Sequence, residues 1–280
     1  MTFRAGLVQL TAGTAVTENI RTASTLIREA AGAGADFIST PEVTSLMQRN
    51  SAQALAVTRA DSDDLALRSL RTLADELGVW LHIGSLPIRL TEQTIANRSF
   101  LLDPKGRIAA SYDKIHMFDV TLPGGESIRE SKVFRPGARA VTAPLPWGKL
   151  GLSICYDLRF PHLYRSLAKA GADILTVPAA FTRVTGQAHW HVLLRARAIE
   201  TGSFVLAAGQ CGDHEDGRKT FGHSLIVNPW GEVLADGGTE PGIVTADIDV
   251  SEVATARAQI PALAHDRPFT LSDVPSLESE

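Results

Sequence analysis

The 280-residue sequence predicts an α/β fold, a four-layer αββα sandwich in which two central mixed sheets are flanked by outer helices. Two observations support this fold class. Short apolar runs alternate with longer segments whose apolar residues recur every three or four positions, as strands and amphipathic helices do. The order strand, helix, strand, helix, strand, hairpin then occurs twice along the chain, so each half can supply one sheet with its own helices.

The first half begins with a buried strand and ends with a hairpin. The turn sequence from Asp103 to Gly106, Asp-Pro-Lys-Gly, is typical of the tight turn that joins two hairpin strands. The predicted elements are strands at residues 3–9, 36–38 and 80–85, helices at 17–32 and 64–77, and hairpin strands at 97–102 and 108–112.

A Gly- and Pro-rich loop at residues 119–137 separates the two halves. The second half repeats the pattern, and Pro229-Trp230-Gly231 forms its hairpin turn. The predicted elements are strands at residues 149–155, 174–178, 204–209 and 242–248, helices at 163–170 and 189–201, and hairpin strands at 224–228 and 233–235.

Neither a Ser/Gly linker nor a shift in composition divides the chain. We therefore predict a single domain at residues 1–267. The remaining residues, 268–280, are acidic at their end and are expected to be a tail that is frayed or docked on a partner subunit.

Composition excludes several function classes. The net charge is -4 and the basic residues are scattered, which argues against binding to nucleic acid or to an anionic membrane. The longest apolar runs, such as residues 205–209, are too short to span a bilayer. The amino-terminal residues lack the pattern of a signal peptide, and two cysteines cannot form a disulfide framework, so we expect a cytoplasmic protein. No CxxC or HExxH motif is present, and we expect no metal.

Cys155 is the strongest candidate for a nucleophile. It follows the apolar run 150–154, and α/β sheets place their active sites where strands end. Backbone N–H groups that follow it could lower the pKa of the thiol and bind an oxyanion. The alternative is a buried structural cysteine, which is common. Cys211, in a polar loop, is expected to be incidental.

Three other residues could act with Cys155. Glu42 directly follows a short buried strand, where a carboxylate is costly unless it is exposed or functional. Lys114 ends the hairpin, although lysines in that position usually lie at the surface. His116 could form a Cys–His dyad, with Asp113 or Asp119 orienting its ring. From the residues alone these alternatives stay open.

Three segments of the chain resemble the signature blocks of the nitrilase superfamily of carbon–nitrogen hydrolases. They are Thr40-Pro41-Glu42, Tyr112-Asp113-Lys114-Ile115-His116, and the run from Gly151 to Pro161, Gly-Leu-Ser-Ile-Cys-Tyr-Asp-Leu-Arg-Phe-Pro. The blocks occur in the order found in the family. The resemblance extends from Ala5 to about Pro268 and implies the αββα fold.

The resemblance also implies catalytic roles. Glu42 would be the general base, Cys155 the nucleophile, and Lys114 would stabilise the oxyanion together with the N–H of Tyr156. The pattern ESxxxxPG selects Glu130, rather than the nearby Glu126, as a fourth active-site residue. The family uses no catalytic histidine, so this resemblance removes His116 from catalysis. Neither a metal nor an organic cofactor is implied.

The second half is similar to the branch of ω-amidases and deaminated-glutathione amidases, which implies a small carboxylate-bearing amide as substrate. Arg159 could bind the substrate carboxylate or form a structural salt bridge, and Phe181 and Thr182 are expected in the pocket wall. His191 stands where this branch usually has a glutamate. The segments that carry the similarity are residues 179–181, 185–190, 193–201, 208–212 and 222–224.

Alternative functions are also considered. On the same fold, the enzyme could be a nitrilase or an N-carbamoyl-amine hydrolase. A non-catalytic scaffold protein would have no reason to keep Glu42, Lys114 and Cys155 together. A metal-dependent hydrolase using His189, His191 and His223 lacks the usual ligand spacing. The expected assembly is a homodimer or a higher homo-oligomer, with a small-molecule amide as the only other partner.

Overall fold

The computed structural model describes residues 1–122, 125 and 127–272. Glu126 and residues 273–280 of the predicted tail lie outside the described residues. The helices are α1 (Val16–Gly32), α2 (Ser51–Val57), α3 (Leu65–Leu77), α4 (Pro161–Lys169), α5 (Arg183–Thr201) and α6 (Ser251–Gln259).

Sixteen strands are present in the described part of the chain. Those of the first half are β1 (Thr2–Gln9), β2 (Phe37–Ser39), β3 (Trp80–Arg89), β4 (Ile95–Leu102), β5 (Ile108–Asp113), β6 (Asp119–Thr121) and β7 (Ser127–Arg129). Those of the second half are β8 (Thr142–Leu145), β9 (Gly148–Leu152), β10 (Ile174–Thr176), β11 (Phe204–Ala207), β12 (Cys211–Asp213), β13 (Lys219–Phe221), β14 (Leu225–Val227), β15 (Val233–Asp236) and β16 (Gly242–Asp249).

Two six-stranded mixed sheets form the centre of the fold. The first has the order β16-β1-β2-β3-β4-β5, and its strands β1, β2 and β3 are parallel. The second has the order β15-β14-β11-β10-β9-β8, with β9, β10 and β11 parallel. Because β16 returns to pair with β1 in antiparallel register, the end of the chain completes the first sheet, which supports the proposal of a single domain.

The apolar residues pack in two large clusters that separate the four layers. One cluster joins the inner faces of the two sheets, for example Phe37 of β2 with Leu150 of β9, and continues to α4 and α5. The other packs α1 and α3 against the outer face of the first sheet, for example Ile27 with Leu70. The predicted αββα sandwich is therefore confirmed.

Local signals explain where the helices begin and end. The Asp64 side chain accepts a hydrogen bond from the Leu67 N–H at 2.8 Å and caps the start of α3. Gly78 ends the same helix in the left-handed conformation, at φ 66°, that glycine adopts without steric cost. Apolar residues on one face of α3 are buried against the sheet, as the helical period predicts.

The structure differs from the sequence prediction in its shortest elements. The predicted loop at 119–137 contains the two-stranded sheet of β6 and β7, and the predicted polar loop at 210–218 begins with β12, which pairs with β13. These strands have three residues each and are partly exposed, so no continuous apolar run marks them, and the prediction missed the four-residue β8 for the same reason. The prediction also missed α2 and α6. In the described residues, no helix has the length and apolar character to cross a membrane.

Candidate active site

The sheets position the functional side chains at one edge of the sandwich. Glu42 follows β2 by three residues, and Cys155 follows β9 by three residues. Lys114 directly follows β5, which runs parallel to β3 because both are antiparallel to β4. The carboxyl ends of these strands therefore meet at the same edge, where α/β folds place their sites.

Cys155 has an unusual backbone conformation. Its φ angle is 48°, in the left-handed region that costs a non-glycine residue about 1–2 kcal/mol. Its N–H donates to the Pro178 carbonyl at 2.9 Å, which holds the turn in place. The predicted strand at 149–155 in fact ends at Leu152, and Cys155 begins a short 3-10 helix, Cys155–Arg159. Cys155 thus lies in a turn beyond the end of β9.

Glu42 is buried and holds the thiol on one side. Its carboxylate shares a hydrogen bond with the Cys155 thiol. Oε2 accepts the Ala180 N–H at 2.8 Å, and Oε1 accepts the Asn97 Nδ2–H at 2.9 Å. The Glu42 carbonyl accepts the Gln210 Nε2–H at 3.0 Å. Both the side chain and the backbone of Glu42 are therefore fixed.

Lys114 lies between two carboxylates and is only 2% exposed. Its Nζ is 2.8 Å from Glu42 Oε1 and 2.9 Å from Glu130 Oε2. Glu130 is held in turn by the Phe118 N–H at 2.6 Å and by Asn97 Nδ2 at 3.2 Å. The structure thus brings Glu130 to the site, while Glu126 lies outside the described residues.

Burial and mutual charge set the protonation states of this cluster. Burial opposes ionisation of Glu42, but the Lys114 charge and hydrogen bonds outweigh it and hold the pKa of Glu42 below its usual value. Burial also opposes the charge of Lys114, yet the Glu130 and Glu42 carboxylates raise the pKa of Lys114 well above its usual value. Burial and the Glu42 charge raise the pKa of Cys155. The resting site therefore holds a neutral thiol, a carboxylate and an ammonium.

Asp157 is fully buried close to the turn at Cys155. Its Oδ2 accepts the Tyr112 O–H at 2.6 Å and the Ile154 N–H at 2.9 Å. Its Oδ1 lies 3.1 Å from the His116 backbone N and 2.7 Å from the His116 ring Nδ1. Asp157 therefore ties the segment before Cys155 to the strand and loop that carry Lys114. The ring of His116 faces Asp157, which argues against the Cys–His dyad.

A cavity of about 450 Å³ opens onto these side chains. Glu42, Lys114, Glu130 and Cys155 all line it. Tyr156 lines it as well, and its N–H lies in the first turn of the 3-10 helix Cys155–Arg159. A carbonyl oxygen bound beside Cys155 can therefore meet this N–H and the Lys114 ammonium.

The predicted pocket-wall residues Phe181 and Thr182 also line the cavity. The ring centroid of Phe181 lies 5.0 Å from that of Trp190, and Thr182 directly precedes α5 without a capping hydrogen bond from its side chain. Arg159 is not among the described residues that line the cavity. Its guanidinium lies 5.2 Å from the Phe181 ring centroid and its nitrogens lie 3.3 Å from His189 Nδ1. The contact of Arg159 with a substrate carboxylate stays a prediction.

Sequence reasoning missed three residues that hold the site. Asn97 bridges Glu42 and Glu130, and Gln210 holds the Glu42 backbone. Asp157 holds the backbone directly before Cys155. The available signal was their polarity within apolar strands or at strand ends, since each is almost fully buried. Buried polar groups need partners, which marks such positions as structural or functional.

In the described residues only His191, His223 and Asp236 bring three possible metal ligands together, and none of them lines the cavity. The residues that line the cavity can supply a thiol beside a carboxylate, with an ammonium and a backbone N–H that can stabilise an oxyanion.

Comparisons with known proteins agree with this chemistry. The family model described as carbon-nitrogen hydrolase matches residues 4–258. Deaminated glutathione amidase of Mus musculus is 44% identical over 257 residues, covering 90% of this chain and 79% of the mouse protein. The C. elegans NitFhit protein has a TM-score of 0.88 at 34% identity, covering 95% of this chain and 65% of that chain. Saccharomyces cerevisiae Nit3, a member of branch 10 of the nitrilase superfamily, has a TM-score of 0.84 at 26% identity. The match covers 93% of this chain and 94% of the Nit3 chain.

These matches span nearly the whole chain: the two structures agree with it in fold, and the family model and the mouse protein agree in the type of reaction. The chain belongs to the carbon-nitrogen hydrolase family, within the nitrilase superfamily, and is an amide-hydrolysing enzyme.

Proposed function

We propose that the enzyme hydrolyses the amide C–N bond of a small carboxylate-bearing substrate through an acyl-thioester on Cys155. The convergence of Cys155, Glu42 and Lys114 in one cavity carries this proposal. The thiol shares a hydrogen bond with Glu42, and the same carboxylate bonds the Lys114 ammonium at 2.8 Å. A neutral thiol needs a base before it attacks, and Glu42 is the carboxylate in contact with it.

In the first half-reaction, the Cys155 sulfur attacks the amide carbonyl carbon while Glu42 accepts the thiol proton. The carbonyl oxygen gains negative charge, which Lys114 and the Tyr156 N–H stabilise. Such donors contribute about 3–4 kcal/mol each in comparable acyl-transfer sites. When the C–N bond breaks, Glu42 returns the proton to the leaving amine, and the acyl group remains on sulfur.

In the second half-reaction, a water molecule takes the place of the amine. Glu42, again ionised, accepts a proton from this water as its oxygen attacks the thioester carbonyl. The same two donors stabilise the second oxyanion. The C–S bond then breaks, the acid leaves, and the proton on Glu42 returns to the Cys155 sulfur. Glu130 keeps Lys114 charged and in place throughout, since it bonds Nζ at 2.9 Å.

The charge of the cavity supports a substrate that carries a carboxylate. Four basic side chains line it beyond the reactive centre: Arg49, Arg129, Lys132 and Arg218. Arg218 is paired with Asp216 at 2.7 Å and Arg49 makes an interaction of its own, so part of this positive charge is already offset. Relatives at up to 44% identity are named deaminated glutathione amidase, whose substrate is an amide with carboxylates. We propose deaminated glutathione, or the ω-amide of an α-keto acid, as the substrate.

A substrate panel tests this proposal. The purified enzyme is incubated with deaminated glutathione, α-ketoglutaramate, a neutral aliphatic amide, a nitrile and an N-carbamoyl amine, and the products are identified by mass spectrometry. We expect the highest kcat/KM for one of the two carboxylate-bearing amides. Preference for the nitrile or the carbamoyl compound would instead establish the second candidate, a nitrilase or carbamoyl-amine hydrolase on the same fold.

We also propose that the enzyme works as a homodimer or higher homo-oligomer in the cytoplasm. Large apolar side chains are exposed on α5 and on the nearby hairpin turn, namely Val192 at 68%, Ile199 at 54% and Trp230 at 58%. Both cysteines are free thiols, as expected in a reducing compartment. Light scattering should give at least twice the chain mass of 30.0 kDa, and a monomer at working concentration would contradict the dimer.

A further inference from the structure

A second cluster of polar side chains lies outside the catalytic cavity. His191 is on α5, His223 precedes β14, and Asp236 ends β15. Their potential ligand atoms all lie within 4.8 Å of one another. No local motif marks the three residues, because the fold assembles them from positions up to 45 residues apart. The proposed hydrolysis of amides does not use them.

The distances within this cluster match those of a metal site. His191 Nε2 lies 3.1 Å from Asp236 Oδ2, and His223 Nδ1 lies 2.9 Å from Asp236 Oδ1. Ligand atoms around a tetrahedral Zn²⁺ are about 3.3 Å apart, since each lies about 2.0 Å from the ion. Asp236 Oδ2 also lies 3.1 Å from His223 Nδ1, so an ion bound to this oxygen could take the place of the protons between it and the two imidazole nitrogens, which lie within 4.8 Å of each other.

The surroundings fix the ligands in this arrangement. The ring of His223 stacks on Phe221 at 4.4 Å and 26°, and its backbone carbonyl accepts the Trp190 Nε1–H at 2.8 Å. Asp236 Oδ1 also accepts the Gly238 N–H at 2.9 Å. Such outer contacts orient metal ligands in known sites and hold them in position before the ion binds.

Access and ligand chemistry define the ion. The side chains of His191, His223 and Asp236 are 38%, 23% and 35% exposed, so an ion can enter and keep a water molecule as its fourth ligand. Two imidazoles and one carboxylate suit Zn²⁺ and other first-row divalent transition metals better than Mg²⁺ or Ca²⁺, which prefer oxygen ligands.

We propose that His191, His223 and Asp236 bind one divalent transition-metal ion, Zn²⁺ in the first instance. The ion fastens α5 to the end of β15 on the outside of the second sheet. It takes no part in the hydrolysis, since the cluster does not line the catalytic cavity. Binding to the folded state alone raises the free energy of unfolding, so the ion should stabilise the fold.

Calorimetric titration of EDTA-treated full-length protein with ZnCl₂ tests the proposal. The titration uses a Cys155→Ala background, so that the catalytic thiol cannot contribute a ligand. We expect one site, weakened about tenfold or more by His191→Gln or by Asp236→Asn. The matched control, His265→Gln, removes an exposed imidazole elsewhere and should bind as tightly as the parent.

Thermal unfolding gives a second readout. Zn²⁺ should raise the unfolding midpoint of the parent and of His265→Gln, and should leave His191→Gln unchanged. The midpoint without metal shows whether each variant is folded. Equal affinity in His191→Gln and in the His265→Gln control overturns the proposal, as does a parent protein that binds no Zn²⁺.

Discussion

Two buried polar clusters meet at Cys155 and differ in what they face. The reaction cluster consists of Cys155, Glu42, Lys114 and Glu130, and it lines the cavity. The positioning cluster consists of Asp157, Tyr112 and His116, and contacts the backbone directly before Cys155. Each holds a buried carboxylate with close hydrogen-bond donors, yet among the described residues only the first is in contact with the space where a substrate binds.

The difference teaches that burial alone does not make a carboxylate catalytic. All four hydrogen bonds to Asp157 come from the protein itself, so its charge is committed to holding the segments of Cys155 and Lys114 together. Glu42 instead shares a hydrogen bond with the thiol, whose proton it can accept. Changes in the reaction cluster should therefore remove activity from a folded protein, whereas changes in the positioning cluster should lower stability and activity together.

Glu42→Gln should produce the largest loss. Glutamine keeps the shape of the side chain but cannot accept the thiol proton, and positioned bases contribute about 10²–10⁴-fold to rate. We expect kcat/KM to fall by about 10³-fold, with circular dichroism unchanged. A folded Glu42→Gln variant with activity within about tenfold of the parent would show that another group is the base.

Lys114→Met should cost both activity and stability. Loss of the ammonium removes an oxyanion donor, worth about 10²–10³-fold in rate, and leaves Glu42 and Glu130 buried without their counter-charge. Removal of one partner from a buried ion pair costs about 3–5 kcal/mol. In the double variant Lys114→Met with Glu130→Gln, urea unfolding should recover stability while activity stays low. Recovery of activity in the double variant would argue against an oxyanion role.

Asp157→Asn should have a smaller effect on rate and a measurable effect on stability. Asparagine can still accept a hydrogen bond from Tyr112 or Ile154, but it lacks the negative charge that the His116 ring contacts at 2.7 Å. We expect a loss of about 1–3 kcal/mol in the free energy of unfolding, as for other charge-assisted hydrogen bonds. The pH profile should keep its shape. A changed pH profile with unchanged stability would move Asp157 into the reaction cluster.

The smallest change is expected when pH is varied across the neutral range. The lowered pKa of Glu42 keeps this base ionised down to below 4.5, the usual value for glutamate, and activity is lost only as pH falls further. The raised pKa of Cys155 keeps the thiol protonated above 9.0. kcat/KM for a neutral amide should therefore be flat between these limits. A step in the profile between these limits would show that a further titrating group takes part in the mechanism.

The sequence predicted the strands and helices that carry the site, because their apolar periods are long enough to read. It also predicted that Glu42, Lys114 and Cys155 follow strands, which the structure brings to one edge. Five strands of three or four residues escaped prediction, namely β6, β7, β8, β12 and β13, because they mix exposed and buried positions. The equally short β2, β10 and β14 were predicted because all their residues are buried, which leaves a continuous apolar run in the sequence.

Contacts between distant segments could not be predicted from one sequence. Asn97 reaches Glu42 across 55 positions, and Gln210 reaches the same residue across 168 positions. The left-handed conformation of Cys155 likewise depends on the Pro178 carbonyl that holds its N–H. Only the packing of the two sheets fixes these contacts, because local propensity carries no information on partners so far apart.

The central claim is that Cys155 is the nucleophile, and its most direct test compares the two free, buried cysteines of the chain. Amide hydrolysis is measured for Cys155→Ala and for the matched control Cys211→Ala, each verified as folded by circular dichroism. We expect Cys155→Ala to release no detectable amine and Cys211→Ala to keep near-parental activity. Turnover by folded Cys155→Ala at a rate close to that of the parent would contradict the thioester mechanism.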